Sequence, residues 1–318
     1  MAEFVSFGET MMVFSPGSPG PLKYKHNYSC KAAGAETNTL IGVRKLGHSA
    51  GWIGRLGSDG PGEFVLNQIR AEGIDTDRVV LDSRYATGIM IKQLCSHGET
   101  SVFYYRDGSA FCHVSLTEAD YHFLSGARIF HFTGITPVLC RTCREELDKL
   151  LSFCRTKKIP VSFDPNIRLK LWKDNDYRDL MKHYIALSDY IMLGVREAGI
   201  IFGEASIDTY ADKIRSLSPS LSFLAVKNGA EGAYVYDKAA AHFIKPFPCT
   251  SIDPVGAGDA FNAGFLTGIL EHHDLKTCGK IAAICGALAT ETTGDVEGLP
   301  EREELMYYLS SVPRAPER

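Results

Sequence analysis

Short runs of β-branched and aromatic residues alternate with stretches of helical period along most of this chain. No other feature restricts its fold as strongly. Residues 4–7, 50–53, 129–132, 161–163, 190–193 and 223–226 read as strands. Residues 36–46, 62–72, 141–156 and 177–187 read as helices. Leu40, Val43 and Leu46 share one face of the first helix, and Phe64, Leu66 and Ile69 point inward from the second. Strands separated by helices of this length build βαβ units, so the expected class is α/β with a mostly parallel sheet covered on both faces. Ligands of such sheets bind beyond the carboxyl ends of the strands. With 318 residues, 45% of them apolar, the chain is long enough to bury that core.

Two stretches interrupt the rhythm. Residues 12–32 and 86–112 have no helical period, and the second holds two alternating runs joined at Ser96-His97-Gly98-Glu99, a hairpin-like connection. Both are expected to form a small antiparallel β lid inserted in one α/β domain spanning 1–318, because long structureless loops are uncommon unless functional.

The charge balance, 34 Lys+Arg against 38 Asp+Glu, gives −4 and no footprint for nucleic acid or an anionic membrane. No apolar run reaches the ~18 residues of a membrane span, and the start, MAEFVSFGET, lacks a basic segment followed by a long apolar one. The chain therefore reads as soluble and cytoplasmic, with small molecules as its partners. Its nine cysteines read as buried free thiols. Cys140 and Cys143 form one CxxC in the first turns of a helix, without a second pair at zinc-ribbon spacing.

Chemistry concentrates in residues 252–265, Ile-Asp-Pro-Val-Gly-Ala-Gly-Asp-Ala-Phe-Asn-Ala-Gly-Phe. Pro254, Gly256 and Gly258 make a tight turn that opens a helix, so Gly256, Ala257 and Gly258 can present successive N–H groups to an anion. Asp259 stands in the same first turn. A carboxylate beside such a turn suits phosphoryl transfer to a hydroxyl, although a helix cap is its plainer use. Two other nucleotide chemistries find no support. No GxxxxGK[ST] occurs, and Gly54, Gly57, Gly60 and Gly62 do not form GxGxxG.

This segment resembles the C-terminal signature of the ribokinase-like (PfkB) carbohydrate kinases. Ala33-Gly34-Ala35-Glu36-Thr37-Asn38, followed by Gly47 and Gly57, is similar to the family's N-terminal signature about 220 residues upstream. The resemblance implies a three-layer α/β/α core with a β lid, ATP and Mg²⁺ as requirements, a monovalent cation such as K⁺ as a further candidate, and a homo-oligomer. Residues 103–110, 131–136 and 163–172 further resemble the family's 2-keto-3-deoxygluconate kinases. That reading implies phosphorylation of the 6-hydroxyl of a sugar acid, with cationic Arg106 and Arg168 suited to its carboxylate.

Carried over position by position, the resemblance assigns Asp259 as catalytic base and Gly256, Ala257 and Gly258 as the anion hole. Gly34, Ala35, Glu36, Asn38, Met90, Tyr104, Arg106, Arg168 and Asp295 would line the sugar. Asn166 and Arg168 would lie between sugar and phosphates. Gly194, Lys227, Gly229, Gly232 and Ala283 would lie toward the nucleotide, and Glu197 would serve Mg²⁺ through water. Besides Glu36 and Leu40, which stand where the N-terminal signature prefers small residues, three positions depart from the family pattern. Gly194 replaces the Asn of an Asn-x-x-Glu element, Met90 stands where an aromatic ring is common, and Ala283 stands where an Asn is common. Other acceptors (fructose, ribose or a deoxy-keto-inositol acid) and a non-catalytic sugar sensor are the competing readings. With an ordinary carboxylate pKa near ~3.9, Asp259 would receive its proton late.

Overall fold

In the computed structural model, residues 2–95 and 101–310 are described. The strands are β1 Phe4–Phe7, β2 Met11–Pro16, β3 Tyr28–Ala33, β4 Ala50–Gly57, β5 Asp75–Asp82, β6 Ile89–Gln93 and β7 Ser101–Tyr105. They continue with β8 Ile129–Thr133, β9 Val161–Asp164, β10 Tyr190–Gly194, β11 Phe223–Lys227, β12 Ala233–Tyr236 and β13 Ala241–Ile244. The helices are α1 Ala35–Lys45, α2 Gly60–Ala71, α3 Glu118–Leu124, α4 Ile135–Leu139, α5 Arg141–Lys157 and α6 Leu169–Trp172. After these come α7 Arg178–Ala186, α8 Val195–Phe202, α9 Ile207–Leu217, α10 Ala257–Leu270, α11 Leu275–Leu288 and α12 Arg302–Ser310.

Nine strands form the main sheet in the order β13-β12-β11-β10-β9-β8-β1-β4-β5. From β5 to β11 every neighbouring pair is parallel, and only β12 and β13 are antiparallel. The central strands read as near-continuous apolar runs because both faces are covered. Phe4 of β1 packs into the core on the α1, α10 and α11 side, whereas Val5 and Phe7 pack into the core on the α5, α7 and α9 side. The two antiparallel end strands, the β5 edge and α9 were not anticipated from the sequence. Asp75–Asp82 is charged and half exposed, as an edge strand can be.

The lid is a second sheet, in the order β3-β2-β6-β7. The pairs β2–β3 and β6–β7 are antiparallel, and a parallel β2–β6 pair joins them. Met11, Val13, Ala33 and Met90 make its small core, with Val102 and Tyr104 against them. The expected hairpin connection at Ser96–Glu99 lies outside the described residues. Buried thiols were expected throughout, but Cys30, Cys95 and Cys249 are exposed. No helix among the described residues is long and apolar enough to cross a membrane.

Candidate active site

Chain order reverses at β1, which has β4 on one side and β8 on the other. The crevice beyond the strand ends opens at such a point. Thr133 ends β8, Asp164 ends β9, Gly194 ends β10 and Lys227 ends β11, so four parallel strands deliver polar groups to one rim. The start of α10 faces them. Gly256 is its N-cap with φ of +80°, and a side chain there would come within 2.2 Å of the Asp295 carbonyl, so only glycine fits this turn. Gly258 and Asp259 follow, where helical amides have no carbonyl four residues back. The Ala257 amide also donates to Pro254 O at 3.3 Å, closing the turn.

Asp259 is 7% exposed. Its Oδ2 accepts from Asn38 Nδ2 of α1 at 2.8 Å, and its Oδ1 accepts from Asn166 Nδ2 at 3.3 Å. Burial pushes the Asp259 carboxyl up to about 7, and neighbouring Asp164 adds to the rise. The Asn38 hydrogen bond, Arg168 and Lys227 oppose it. This corrects the expectation of an ordinary carboxylate, because sequence spacing carries no information about desolvation. A base with this proton affinity matches the task of taking a hydroxyl proton near neutral pH.

A network lies behind it. Asp164 Oδ2 accepts from Lys227 Nζ at 3.0 Å and from Asn262 Nδ2 at 2.5 Å, and Lys227 also donates to Asn262 Oδ1 at 3.1 Å. Burial would lower the Lys227 ammonium pKa, but Asp164 and Glu197 outweigh it and hold the amine charged. Asp164 and Asn262 went unassigned in the sequence. The signal was present in Asp164-Pro165-Asn166 and in Asn262, three positions after Asp259 on the same helix face. Asn166 adopts φ of +39°, a conformation asparagine tolerates, and its amide donates to Asp164 Oδ1 at 2.9 Å. Its buried Oδ1 finds no partner among the described residues.

The structure treats other expected site residues differently. Glu36 is 1% exposed and accepts from the Thr133 amide, Thr133 Oγ1 and Thr136 Oγ1, at 3.2, 2.7 and 2.8 Å. It therefore fastens α1 to the end of β8 beneath the crevice. Gly34 caps α1 where a side chain would meet Glu9 O at 2.6 Å, and Ala35 begins the helix. Met90 is 7% exposed within the lid core, and Tyr104 packs beside it. Arg106 is buried. Its Nε donates to Glu9 Oε2 at 2.6 Å, its Nη2 meets the same oxygen, and its guanidinium lies over the Tyr104 ring at 5.5 Å. The sequence offered no hint of Glu9, 97 positions away.

Arg168, by contrast, is exposed at the start of α6, and its charge reaches Asp259. Asp295 joins core to lid by accepting from Lys92 Nζ of β6 at 2.5 Å. Glu197 accepts from the Gly194 amide at 2.7 Å and the Ile167 amide at 2.8 Å, so it orders the start of α8 and the backbone beside Asn166. Gly229 and Gly232, with φ of +56° and +104°, turn β11 back into antiparallel β12. Ala283 is half-buried against the core in α11.

The pfkB family carbohydrate kinase model matches residues 1–302. This chain belongs to that family. The 2-dehydro-3-deoxygluconokinase of Bacillus subtilis is 33% identical over 313 residues, covering 96% of this chain and 95% of that protein. The crystal structure of a PfkB protein from Polaromonas sp. JS666 superposes with a TM-score of 0.87 at 34% identity, covering 96% of this chain and 99% of the other. A sugar kinase from Pyrococcus horikoshii, solved in complex with ATP, has a TM-score of 0.83 at 25% identity, covering 96% and 97%. In this family member the Asp259 carboxylate, the glycine turn of α10 and the Lys227–Asp164 pair gather at one rim of the main sheet.

Proposed function

We propose that this kinase transfers the γ-phosphoryl group of ATP to the 6-hydroxyl of 2-dehydro-3-deoxy-D-gluconate, with Asp259 as base. The observation that carries the catalytic part is the burial of Asp259 between Asn38 and Asn166 at the mouth of the α10 turn. Asn38 and Asn166 aim both carboxylate oxygens, and the raised proton affinity lets Asp259 take the hydroxyl proton as the oxygen bonds to phosphorus. Amides of Gly256, Gly258 and Ala257, the last by giving up its 3.3 Å bond to Pro254 O, stabilise with the α10 dipole the charge developing on the transferred group. Lys227, held charged by Asp164, adds a fixed cation at that end.

The oxygen donors of Glu197, Asp164 and Asn166 suit a hard divalent cation, and the buried, unpartnered Asn166 Oδ1 is the clearest sign of fit. Mg²⁺ with ATP would supply neutralisation of the phosphate charge. Glu197 and Asn166 would hold it through water, and Gly194 leaves room there.

The sugar-acid assignment rests on the Bacillus subtilis relative and on Arg168, an exposed cation beside the base. A neutral ketose such as fructose is the second reading, favoured by one observation: Glu9 already engages Arg106. The lid's β7 edge exposes Phe103 and Tyr105, at 43% and 64%, and this apolar rim supports pairing of two copies through their lids. A coupled assay with ATP, Mg²⁺ and K⁺ against a panel of keto-acid and neutral sugars tests the substrate. The highest kcat/KM is expected for 2-dehydro-3-deoxy-D-gluconate, and a higher value for fructose would overturn that choice.

A further inference from the structure

Three thiols converge beside Ser109, next to the Arg106–Glu9 pair. Cys140 and Cys143 open α5, and Cys112 reaches them from the short turn Ala110–His113 that follows the lid. Their sulfurs all lie within 4.8 Å of one another, and Cys140 Sγ and Cys143 Sγ are 3.1 Å apart. In the sequence the CxxC stood without a second pair at zinc-ribbon spacing. The fold supplies a third thiol from 28 positions upstream.

We propose that Cys112, Cys140 and Cys143 form a three-thiolate site for a thiophilic d¹⁰ cation, Zn²⁺ or Cu⁺. Three features carry this. Zn–S bonds of about 2.3 Å place the sulfurs of a tetrahedral face about 3.8 Å apart, so closure on one ion needs shifts of about an ångström. The donors are all sulfur, which selects soft cations over Mg²⁺. The Cys143 amide donates to Cys140 Sγ at 3.2 Å, and the N-terminus of a 17-residue helix faces the cluster, so both favour the negative charge that thiolate ligation brings.

Access is from one side, because Cys140 is half-buried while Cys112 and Cys143 are buried. Cys140 Sγ lies 3.4 Å from the Cys112 carbonyl oxygen and Cys143 Sγ lies 3.5 Å from that of Phe111. Binding replaces three S–H bonds by three S–metal bonds and releases three protons to solvent. Zn²⁺ would complete its shell with one water, and Cu⁺ would stay trigonal. An ion here would pin the base of the lid, since Ser109 Oγ approaches Cys112 Sγ at 3.8 Å and also contacts Glu9.

The test uses the full chain, reduced and stripped by chelator without oxygen. Zn²⁺ is titrated against a chromophoric chelator, Cd²⁺ is followed by thiolate-to-metal charge-transfer absorbance, and Cu⁺ is delivered from a competing ligand. One ion per chain is expected, with a Cd²⁺ band of three-thiolate intensity; the tighter of Zn²⁺ and Cu⁺ identifies the cation. Cys140→Ser should weaken binding at least about 100-fold while preserving the fold, because serine caps helices well. Cys112→Ala should do the same, and Cys249→Ser should bind like the unaltered chain. Substoichiometric binding, or binding that survives both ligand substitutions, would overturn the site. So would a chain that forms a Cys140–Cys143 disulfide under peroxide yet binds none of the three ions when reduced.

Discussion

Asn38 Nδ2 donates to Asp259 Oδ2 at 2.8 Å across 221 positions of sequence, joining the first helix of the chain to the helix that carries the base. This contact unites the two signature segments in one site. It also opposes the rise in proton affinity that burial imposes on Asp259. Removing it should let that rise go further. Asn38→Ala is expected to move the acid limb of the kcat/KM profile to higher pH, with the largest loss of activity below neutrality. An acid limb that stays in place while activity falls would make Asn38 a packing residue only.

Wild-type kcat/KM should itself fall as pH drops through about 7, where Asp259 takes up its proton. A profile flat down to pH 5 would contradict the raised value.

The same shift has a stability consequence. The folded-state pKa of Asp259 lies above the unfolded value of 3.8, so the native chain binds more protons between those values and loses stability as pH rises through that window. Asp259→Asn removes this cost. Asn166 Oδ1, buried without a partner, can turn to accept from the new amide. The variant should therefore melt higher than the parent at pH 8, with the gain shrinking toward pH 4. Equal melting temperatures at both pH values would show that Asp259 is not buried as a charge.

Arg106 calls for a paired test, because its removal leaves Glu9 buried and unpaired. Breaking such a pair costs on the order of 3–5 kcal/mol. Arg106→Ala should be strongly destabilised, and adding Glu9→Gln should recover much of the fold. In the double variant, KM for the sugar acid should rise about 10- to 150-fold if Arg106 also meets the substrate carboxylate, while kcat changes little. An unchanged KM would restrict Arg106 to its pair with Glu9.

The lid is fastened to the core through Lys92–Asp295 and through Arg106–Glu9. Saturating sugar should slow hydrogen exchange at the amides of β6 and β7 and leave Val161–Asp164 unchanged. Unaltered lid exchange would mean that these strands do not close on substrate.

The parallel core was legible because its strands are short apolar runs between clear helical periods, as at Phe4–Phe7 and Tyr190–Gly194. Asp75–Asp82 was not, since an edge strand needs no apolar pattern. Within the site, Asp259 and its glycines stood out by spacing. The partners of Glu36, Arg106 and Lys227 did not, because each contact joins residues far apart in sequence and depends on burial that only the folded chain creates. Glu36 and Arg106 therefore read as ligand-facing charges, whereas the folded chain surrounds both with its own polar groups.

The most direct test of the catalytic account is the turnover of Asp259→Asn under saturating ATP, Mg²⁺ and 2-dehydro-3-deoxy-D-gluconate. Folding and ATP affinity are checked on the same preparation. The account predicts a kcat at least about 100-fold below the parent with ATP binding retained. A variant that keeps more than about a tenth of the parent kcat would contradict the assignment of Asp259 as the base.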